Sequence, residues 1–174
     1  MKSDIAKIVS GGQTGADRGG LDAAIECGVP HGGWCPKGRK AEDGPIPDRY
    51  QLTETASGNY LVRTEQNVID SHATVIFTDG PATGGSKKTI VFAKKHSRPW
   101  LHVDVSQNDD EAVARGVLNW IKGGGVLIPE MAVPPNPVLN VAGSRESKSP
   151  GLQKRVCSIM KLVLDPPFYP GASE

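Results

Sequence analysis

The stretch I-V-S-G-G-Q-T-G-A-D-R-G-G at positions 8–20 organises the rest of the chain. Ile8 and Val9 end a short apolar run of the kind that forms a buried strand. The glycines that follow allow a tight turn, and apolar residues at helical spacing then predict a helix from about Thr14 to Gly28. This order directs backbone N–H groups and the positive end of a helix dipole at one place, which favours a phosphate or another anion.

The loop does not match the common nucleotide motifs. It lacks the G-x-G-x-x-G spacing of a dinucleotide site, and it lacks the Lys followed by Ser or Thr of a Walker A loop. An anion site is therefore one interpretation of the loop. A glycine-rich turn that only packs the helix against the strand is the other.

Length and composition indicate a single domain with a local binding site. The 174 residues suffice for one core, and we expect order over about 5–165 and a loose tail over 166–174. With 20 basic and 19 acidic side chains, the net charge of +1 gives no basic excess for nucleic acid or membrane binding. The start M-K-S-D-I-A-K lacks the apolar core of a signal peptide, and no long apolar run follows. We therefore expect a cytoplasmic protein.

The cysteines and histidines give no sign of a metal site. Three cysteines lie far apart in the sequence, which fits a reducing compartment better than a disulfide framework. The four histidines form neither an H-x-x-x-H pair nor a cluster with cysteine, so we assign no protein-ligated metal.

Strands and helices are predicted to alternate along the chain. A short second strand is expected at 31–34, and 126–137 is either a short strand or an extended connection. We expect further strands at 73–78, 100–105 and 138–142, and helices over 59–71, through 90–93, over 112–121 with Ser106 or Asn108 as the cap, and over 152–164. Such alternation predicts an α/β fold, a Rossmann-like three-layer sandwich with a mostly parallel sheet and helices on both faces.

Three loops are expected at one edge of this sheet. Residues 11–17, 80–86 and 143–150 each follow an apolar strand and precede a helix. Ligands of such sheets bind outside the carboxyl ends of the strands, so the three loops together predict a binding site better than one loop does. An ordinary dehydrogenase is disfavoured, because W-C-P-K-G-R stands at 34–39 where an acidic residue is usual.

A long segment without regular periodicity runs from Cys35 to about Ser57. Segments of this length are usually functional or disordered. Its mixture of Pro, Tyr and charges of both signs favours an ordered binding loop, and a floppy surface insertion is the alternative.

Several motifs resemble one family. These are G-G-Q-T-G-A-D at 11–17, G-W-C-P-K-G-R-K-A-E-D-G-P-I-P at 33–47, Y-x-L-T-E-T at 50–55, R-T-x-x-N-V at 63–68, G-G-S at 84–86 and L-N-V-A-G-S-R-E-S at 139–147. Together they resemble the molybdenum cofactor carrier family, a Rossmann-like branch related to the cytokinin-activating nucleotide hydrolases that are often labelled lysine decarboxylases. The resemblance covers about 8–165.

The resemblance implies a homo-oligomer, a dimer or a tetramer, that binds molybdenum cofactor (molybdopterin), protects it and delivers it to a molybdoenzyme. The residues that we assign to this ligand are Gly11, Gly12, Gln13, Thr14, Gly15, Asp17, Lys37, Arg39, Arg63, Asn67, Thr83, Gly84, Gly85, Ser86, Ser144 and Arg145. We assign no catalytic residue. The related hydrolases carry a Glu a few residues after a G-G-x-G-T loop, whereas G-G-S-K-K-T at 84–89 is followed by no acid before Lys94.

The assigned residues have different expected roles. The first loop would bind phosphate through its amides with the Thr14 hydroxyl, whereas Asp17 would mainly stabilise the helix start. Arg145 is the strongest candidate for an anion contact because its planar guanidinium binds bidentately, with a salt bridge to Glu146 or another acid as the alternative. Arg63 and Asn67 would share a helical face.

Other side chains keep two interpretations. Arg18 is a surface charge or an anion contact, Trp34 stacks on a pterin or belongs to the core, and Cys35 is a small apolar residue more readily than a molybdenum ligand. Lys37, Arg39 and Lys40 contact the ligand or pair with Glu42 and Asp43.

Three hypotheses of function follow. The first is a carrier or store of molybdenum cofactor that does not catalyse a reaction. The second is an enzyme that cleaves an N-glycosidic or phosphate bond of a nucleotide, with Asp17 or Glu42 as acid or base. The third is a sensor of a nucleotide-like signal. The sequence shows no nucleophile–base pair or metal cluster that would support the enzyme.

Overall fold

Strands and helices alternate in the computed structural model, which describes residues 4–124 and 131–167. The strands are β1 (Lys7–Val9), β2 (His31–Gly32), β3 (Trp34–Cys35), β4 (Lys40–Ala41), β5 (Gly44–Pro45), β6 (Thr53–Glu54), β7 (Ala73–Thr78), β8 (Trp100–Asp104) and β9 (Val138–Gly143). The helices are α1 (Ala16–Cys27), α2 (Tyr60–Ile69), α3 (Gly84–Lys95), α4 (Asp110–Ile121) and α5 (Leu152–Leu164). These elements confirm the predicted alternation, and β7 and α5 have the predicted bounds.

Five strands form a parallel sheet in the order β2-β1-β9-β7-β8. Ile8 is paired with Leu139, and Val75 with both Val141 and Leu101. Every residue of β7 is buried, as expected for a central strand covered on both faces. The three strands that precede the predicted loops, β1, β9 and β7, are neighbours, so their carboxyl ends lie side by side.

The helices form two layers. One layer contains α1, α5 and α4, with α5 between the other two, and the other contains α2 packed on α3. Gly19 and Gly20 allow α1 to approach its neighbours closely, because a Cβ at Gly19 would lie 2.6 Å from the carbonyl oxygen of Gln153. The sheet between two helical layers confirms the predicted Rossmann-like sandwich.

The segment from 31 to 57 is ordered and packs on α1. A bend at Gly33, where φ is 120°, divides the predicted second strand into β2 and β3. The segment then forms a β4–β5 hairpin and a β3–β6 pair. Its apolar side chains, which are Cys35, Ala41, Ile46 and Tyr50, are buried against Leu21 of α1. Burial of these side chains explains why the segment is not a floppy insertion.

The predicted cap of α4, Ser106 or Asn108, is wrong. Asp109 caps the helix, and its side chain accepts a hydrogen bond of 2.8 Å from the amide of Ala112. Ser106 lies in a short 3₁₀ turn instead, where it binds Asp104. Both Ser and Asp are good caps, so the sequence alone did not distinguish them. Residues 126–130 of the ambiguous region 126–137 and residues 168–174 of the predicted tail lie outside the described residues, and the described residues 131–137 form no strand.

Candidate functional site

A cavity of about 210 Å³ opens at the carboxyl ends of β1, β9 and β7. All three predicted loops contribute to it, together with the first two turns of α2. The loop residues that line it are Gln13, Asp17, Thr83, Gly84, Gly85, Ser86, Ser144, Arg145 and Lys148. The structure therefore brings nine residues of the three loops together at the place where α/β sheets bind their ligands.

The first glycine loop binds the protein's own groups. The amide of Gln13 donates to Asp17 Oδ2 over 3.2 Å, and the amide of Thr14 donates to Gln13 Oε1 over 3.1 Å. The amide of Ala16 donates to the carbonyl oxygen of Ser144 over 3.0 Å. We expected the amides of this loop to bind a ligand anion. The amides of Gln13, Thr14 and Ala16 do not fit that role, because each already donates to an acceptor within the chain.

Asp17 and Arg63 form an ion pair within the cavity wall. Arg63 Nη1 lies 3.6 Å from Asp17 Oδ2, and the two side chains are 12% and 5% exposed. Burial raises the pKa of Asp17, although the Arg63 charge and the amide of Gln13 partly oppose the shift. Asp17 thus does more than stabilise the start of α1, because it also balances a buried guanidinium.

The glycines of the first loop allow this packing. A Cβ at Gly11 would lie 2.4 Å from Arg63 Nη1, so only glycine leaves room for the guanidinium. A Cβ at Gly15 would lie 2.3 Å from the carbonyl oxygen of Ser144, where the first and third loops touch. Gly12 fits against Ile46 and Leu52 of the long segment. The role of these glycines is close packing around the cavity.

Two buried donors that belong to cavity-lining residues have no hydrogen-bond partner within the described chain. They are Gln13 Nε2 and Arg63 Nε. A buried donor without an acceptor costs roughly 1–3 kcal/mol, and such groups are rare in native structures. A ligand acceptor in the cavity would remove this cost.

The opposite side of the cavity is the amino end of α3. Gly84 has φ of 52° and, with Gly85, begins the helix next to Thr83, whose side chain does not cap it. The first amides of a helix have no carbonyl partner within the helix and attract anions. Lys148 Nζ binds Thr83 Oγ1, and Ser86 is 3% exposed. This end offers amide, hydroxyl and ammonium donors.

Glu42 joins the first and third loops. Its carboxylate accepts from Thr14 Oγ1, from the amide of Ser147 over 3.1 Å and from Ser147 Oγ over 2.6 Å. Arg145 Nη1 lies 3.8 Å from Glu42 Oε2. Desolvation alone would raise the pKa of Glu42, but the hydrogen bonds from Ser147 and Thr14 outweigh it, so the pKa is lowered. The predicted alternative of a salt bridge for Arg145 is thus observed, with Glu42 and not Glu146.

Three cations surround the ring of Tyr60 at the start of α2. The Lys40 ammonium and the Arg63 and Arg145 guanidinium carbons lie 5.1, 5.7 and 6.0 Å from the ring centre. These are cation–π distances. Tyr60 lines the cavity and adds an aromatic surface to it.

Seven assigned residues do not line the cavity: Gly11, Gly12, Thr14 and Gly15 belong to the first loop beside it, and Lys37, Arg39 and Asn67 lie elsewhere. Arg39 donates to the carbonyl oxygens of Ile46, Pro47 and Tyr50. Asn67 binds both the amide and the carbonyl of Trp34, and Lys37 belongs to the same segment and does not line the cavity. Arg39 and Asn67 stabilise the long segment because its irregular backbone needs partners that a sheet would supply.

Several alternatives are also decided by the structure. Arg18 is buried, where it pairs with Asp43 at 2.5 Å and donates to the carbonyl oxygen of Gly12. It is therefore neither a surface charge nor a lining residue. Glu42 and Asp43 pair with Arg145 and Arg18, which lie outside the long segment. Cys35 is fully buried, and Trp34 lies at a separate concavity near Asp70.

Sequence reasoning missed Tyr60 and the structural importance of Glu42. Tyr60 begins a helix after a long irregular segment, and no spacing rule connects it with loops that follow distant strands. Glu42 was considered only as a general acid or base and as a partner of the lysines and arginine of its own segment. Its partners, Thr14 and Ser147, are 28 and 105 residues away, so only the fold reveals them.

Among residues 4–124 and 131–167, no group of three His, Cys, Asp or Glu side chains is arranged to hold a metal ion. None of the helices described is long and apolar enough to cross a membrane. A second concavity, of about 510 Å³, lies between α1 and α5 and is lined by hydrophilic side chains such as Asp22, Lys154 and Lys161.

The parallel sheet, with a polar cavity at the carboxyl ends of its central strands, defines a Rossmann-like α/β protein. The chain belongs to the circularly permutated YpsA SLOG family, whose model matches residues 8–164. It is similar to the crystal structure of a "putative molybdenum carrier protein" from Syntrophus aciditrophicus SB, with 40% sequence identity and a TM-score of 0.84 over 94% of this chain and 98% of that chain. No curated protein matches the chain.

Proposed function

We propose that the protein binds molybdenum cofactor in the cavity between the three loops and acts as its carrier or store. The observation that carries this proposal is the convergence of anion donors from α3 and the third loop with an aromatic ring and two unpartnered buried donors. Molybdenum cofactor combines a terminal phosphate with a polar pterin ring, so it needs both kinds of group. The similar protein from Syntrophus aciditrophicus is named as a molybdenum carrier, which supports a ligand that contains this metal.

The amino end of α3 is the proposed phosphate site. Gly84 and Gly85 supply amides, Ser86 supplies a hydroxyl, and Lys148 places its ammonium next to Thr83. Oriented amides together with a cation are a general solution for binding phosphate. No acid is paired with Lys148 among the described residues, so its charge is available to a ligand.

Tyr60 and the neighbouring Arg145 are proposed to hold the pterin. Arg145 is 47% exposed, so it can rotate over a ligand at the cavity mouth. Aromatic rings stack on planar heterocycles at low entropic cost, because only two side-chain torsions must be fixed. A cavity of about 210 Å³ is smaller than the 300–1,000 Å³ usual for a whole drug-sized ligand. Part of the cofactor would therefore remain at the surface, where a recipient molybdoenzyme can reach it.

Binding without catalysis is part of the proposal. Glu42 is held by Thr14, Ser147 and Arg145, and its lowered pKa makes it a weak base. A homo-oligomer and transfer to a molybdoenzyme complete the carrier hypothesis.

A nucleotide hydrolase is the second candidate, and Asp17 is the observation that favours it. Its carboxyl group lines the cavity, is almost fully buried and has a raised pKa, which are features of general acids. Incubating the protein with AMP, GMP and CMP and measuring released base or phosphate by chromatography tests this role. Turnover that is lost in Asp17→Asn would establish the enzyme.

The proposed ligand is tested with molybdenum cofactor released from a molybdoenzyme. The protein is incubated with it anaerobically and recovered by gel filtration, and the bound pterin is quantified by the fluorescence of its oxidised form. We expect stoichiometric pterin with the wild type. A double variant, Arg145→Ala with Lys148→Ala, should lose most of it, because two charged contacts contribute roughly 1.5–3 kcal/mol each.

Lys154→Ala is the matched control. Lys154 is an exposed lysine six positions after Lys148, and it lines the α1–α5 concavity. This variant should retain pterin like the wild type. Loss of pterin in the control, or retention in the double variant, would place the ligand outside the proposed site, and no retention by the wild type would reject the carrier hypothesis.

A further inference from the structure

The orientation of the Gln13 side chain is determined by its partners. Gln13 Oε1 accepts hydrogen bonds from the amides of Thr14, over 3.1 Å, and Glu42, over 3.0 Å. An amide nitrogen in that position would face two donors, so the oxygen must occupy it. Nε2 therefore occupies the other position of the side-chain amide. Gln13 is 6% exposed and lines the cavity, and its Nε2 has no acceptor within the described residues.

Arg63 presents a second donor of the same kind. Its Nη1 donates to Thr64 Oγ1 over 2.9 Å and faces Asp17, which fixes the guanidinium above Gly11. Its Nε is buried without a partner within the described residues. Two residues from different elements, a loop and a helix, thus line one cavity, and each carries a buried donor without a partner among the described residues.

The charges at the two sides of the cavity differ. The Asp17 carboxyl lies beside Arg63, so a phosphate at that side would meet a negative group. Lys148 stands at the α3 side with the hydroxyl of Thr83. A phosphate is thus favoured at α3, and an uncharged acceptor is favoured at Gln13 and Arg63.

We infer that Gln13 Nε2 and Arg63 Nε recognise an oxo group on the ring of the ligand, and that Gln13 determines specificity for lactam-type rings, in which a carbonyl stands next to a ring N–H. This inference deepens the proposed function, because it names the ring chemistry that the same site accepts. A ring with an amino group at the same place would direct its N–H donors at Gln13 Nε2 and Arg63 Nε, which are donors themselves. All three groups would then lack an acceptor, and a polar site discriminates most strongly in this way.

Purine nucleotides test the inference without molybdenum. GMP and IMP carry the ring oxo group, AMP carries an amino group in its place, and all three carry the same phosphate. We expect GMP and IMP to bind the wild type at least about tenfold more tightly than AMP in calorimetric titrations, as one lost hydrogen bond in a buried site predicts. Equal affinity for IMP and AMP would overturn the inference.

Two substitutions of Gln13 sharpen the test. Gln13→Glu keeps the oxygen that accepts from Thr14 and Glu42 but replaces the donor with a carboxylate oxygen. Gln13→Met removes both the donor and this acceptor without adding charge. Both should abolish the preference for IMP over AMP. Gln107→Glu, an exposed change at the 3₁₀ turn after β8, should leave the preference intact. Thermal unfolding of each variant shows whether it is folded.

The outcomes separate this inference from the proposed function. Selective binding of IMP by a protein that retains no pterin would support the inference and reject the carrier. Pterin retained equally by the wild type and Gln13→Met would support the carrier and overturn the inference. If the wild type binds neither the nucleotides nor the pterin, the inference is overturned as well.

Discussion

Arg63 Nη1 of α2 lies 3.6 Å from Asp17 Oδ2 at the start of α1, with both side chains nearly buried. This pair connects the two helical layers across the edge of the sheet, because α1 and α2 belong to different layers. It also fixes the wall of the cavity, since the same guanidinium covers Gly11 and carries one of the unpartnered donors.

Removing one partner of this pair should destabilise the protein more than removing both. Asp17→Ala leaves the Arg63 charge buried and uncompensated, so we expect a loss of roughly 3 kcal/mol in the free energy of unfolding. The double variant Asp17→Ala with Arg63→Met should recover part of the loss. Urea unfolding of the wild type, both single variants and the double variant measures the coupling. If the loss of stability in the double variant equals the sum of the losses in the two single variants, the pairing is contradicted.

The Asp17 carboxyl should make stability fall as pH rises. Burial raises its pKa above the ordinary 3.8, so the native state holds this proton more tightly than the unfolded chain does. The contribution of this proton to the free energy of unfolding is complete below about pH 3.8, the ordinary pKa, and is lost as pH rises through the raised pKa of the native state. Measured in urea from about pH 3.5 to 8, the stability of the wild type relative to Asp17→Asn should therefore decrease with pH. An increase would show that the Arg63 charge outweighs burial.

Glu42 should stabilise the contact between the first and third loops. Glu42→Ala removes the acceptor of Thr14 and Ser147 and should lower the free energy of unfolding by about 1–3 kcal/mol. The lowered pKa of Glu42 means that this contribution is present above its ordinary pKa of 4.5 and is lost as pH falls through the native value. Thermal unfolding at neutral and acid pH measures both effects.

An exposed glutamate provides the control for this experiment. Glu111 of α4 pairs with Arg115 one turn later at 3.7 Å, and both side chains are more than half exposed. Glu111→Ala should change stability by less than about 1 kcal/mol. A similar effect of both substitutions would contradict a special role for Glu42.

Substitutions of Gly15 and Gly38 by alanine distinguish the cost of backbone strain from the cost of steric crowding. Their φ angles are 82° and 78°, but a Cβ at Gly15 would meet the backbone of Ser144 at 2.3 Å, whereas nothing lies within 4 Å of one at Gly38. Gly38→Ala should cost roughly 1–2 kcal/mol, from the left-handed conformation alone. Gly15→Ala should cost clearly more and should also weaken ligand binding, because the third loop must move. Equal costs in chemical denaturation would show that the two loops are not packed as described.

Patterns that are local in sequence predicted most of the fold. The helix α5 and the strand β7 have clear periodicity or burial, and the loops after β1, β7 and β9 converge because parallel strands end at one edge. The roles of individual side chains were less predictable. Arg39 and Arg18 look like ligand-binding cations in the sequence, but the irregular segment from 31 to 57 uses them to satisfy carbonyls and Asp43.

The contribution of Tyr60 and Lys148 to the cavity depends on tertiary structure. Lys148 reaches Thr83, which is 65 positions earlier in the chain, and no motif links these residues. Asp17 was expected to act on its own helix, yet its most important partner is on α2, since burial of a carboxyl group requires a compensating charge.

The central claim, that the amino end of α3 binds the phosphate of a pterin ligand, is tested most directly by a crystal structure of the protein with molybdenum cofactor, prepared anaerobically. We expect phosphate oxygens at about 3 Å from the amides of Gly84 and Gly85, with Lys148 beside them and the pterin near Tyr60 and Gln13. A cofactor bound in the α1–α5 concavity, or with its phosphate held by Gly11 and Gly12, would contradict the proposed site.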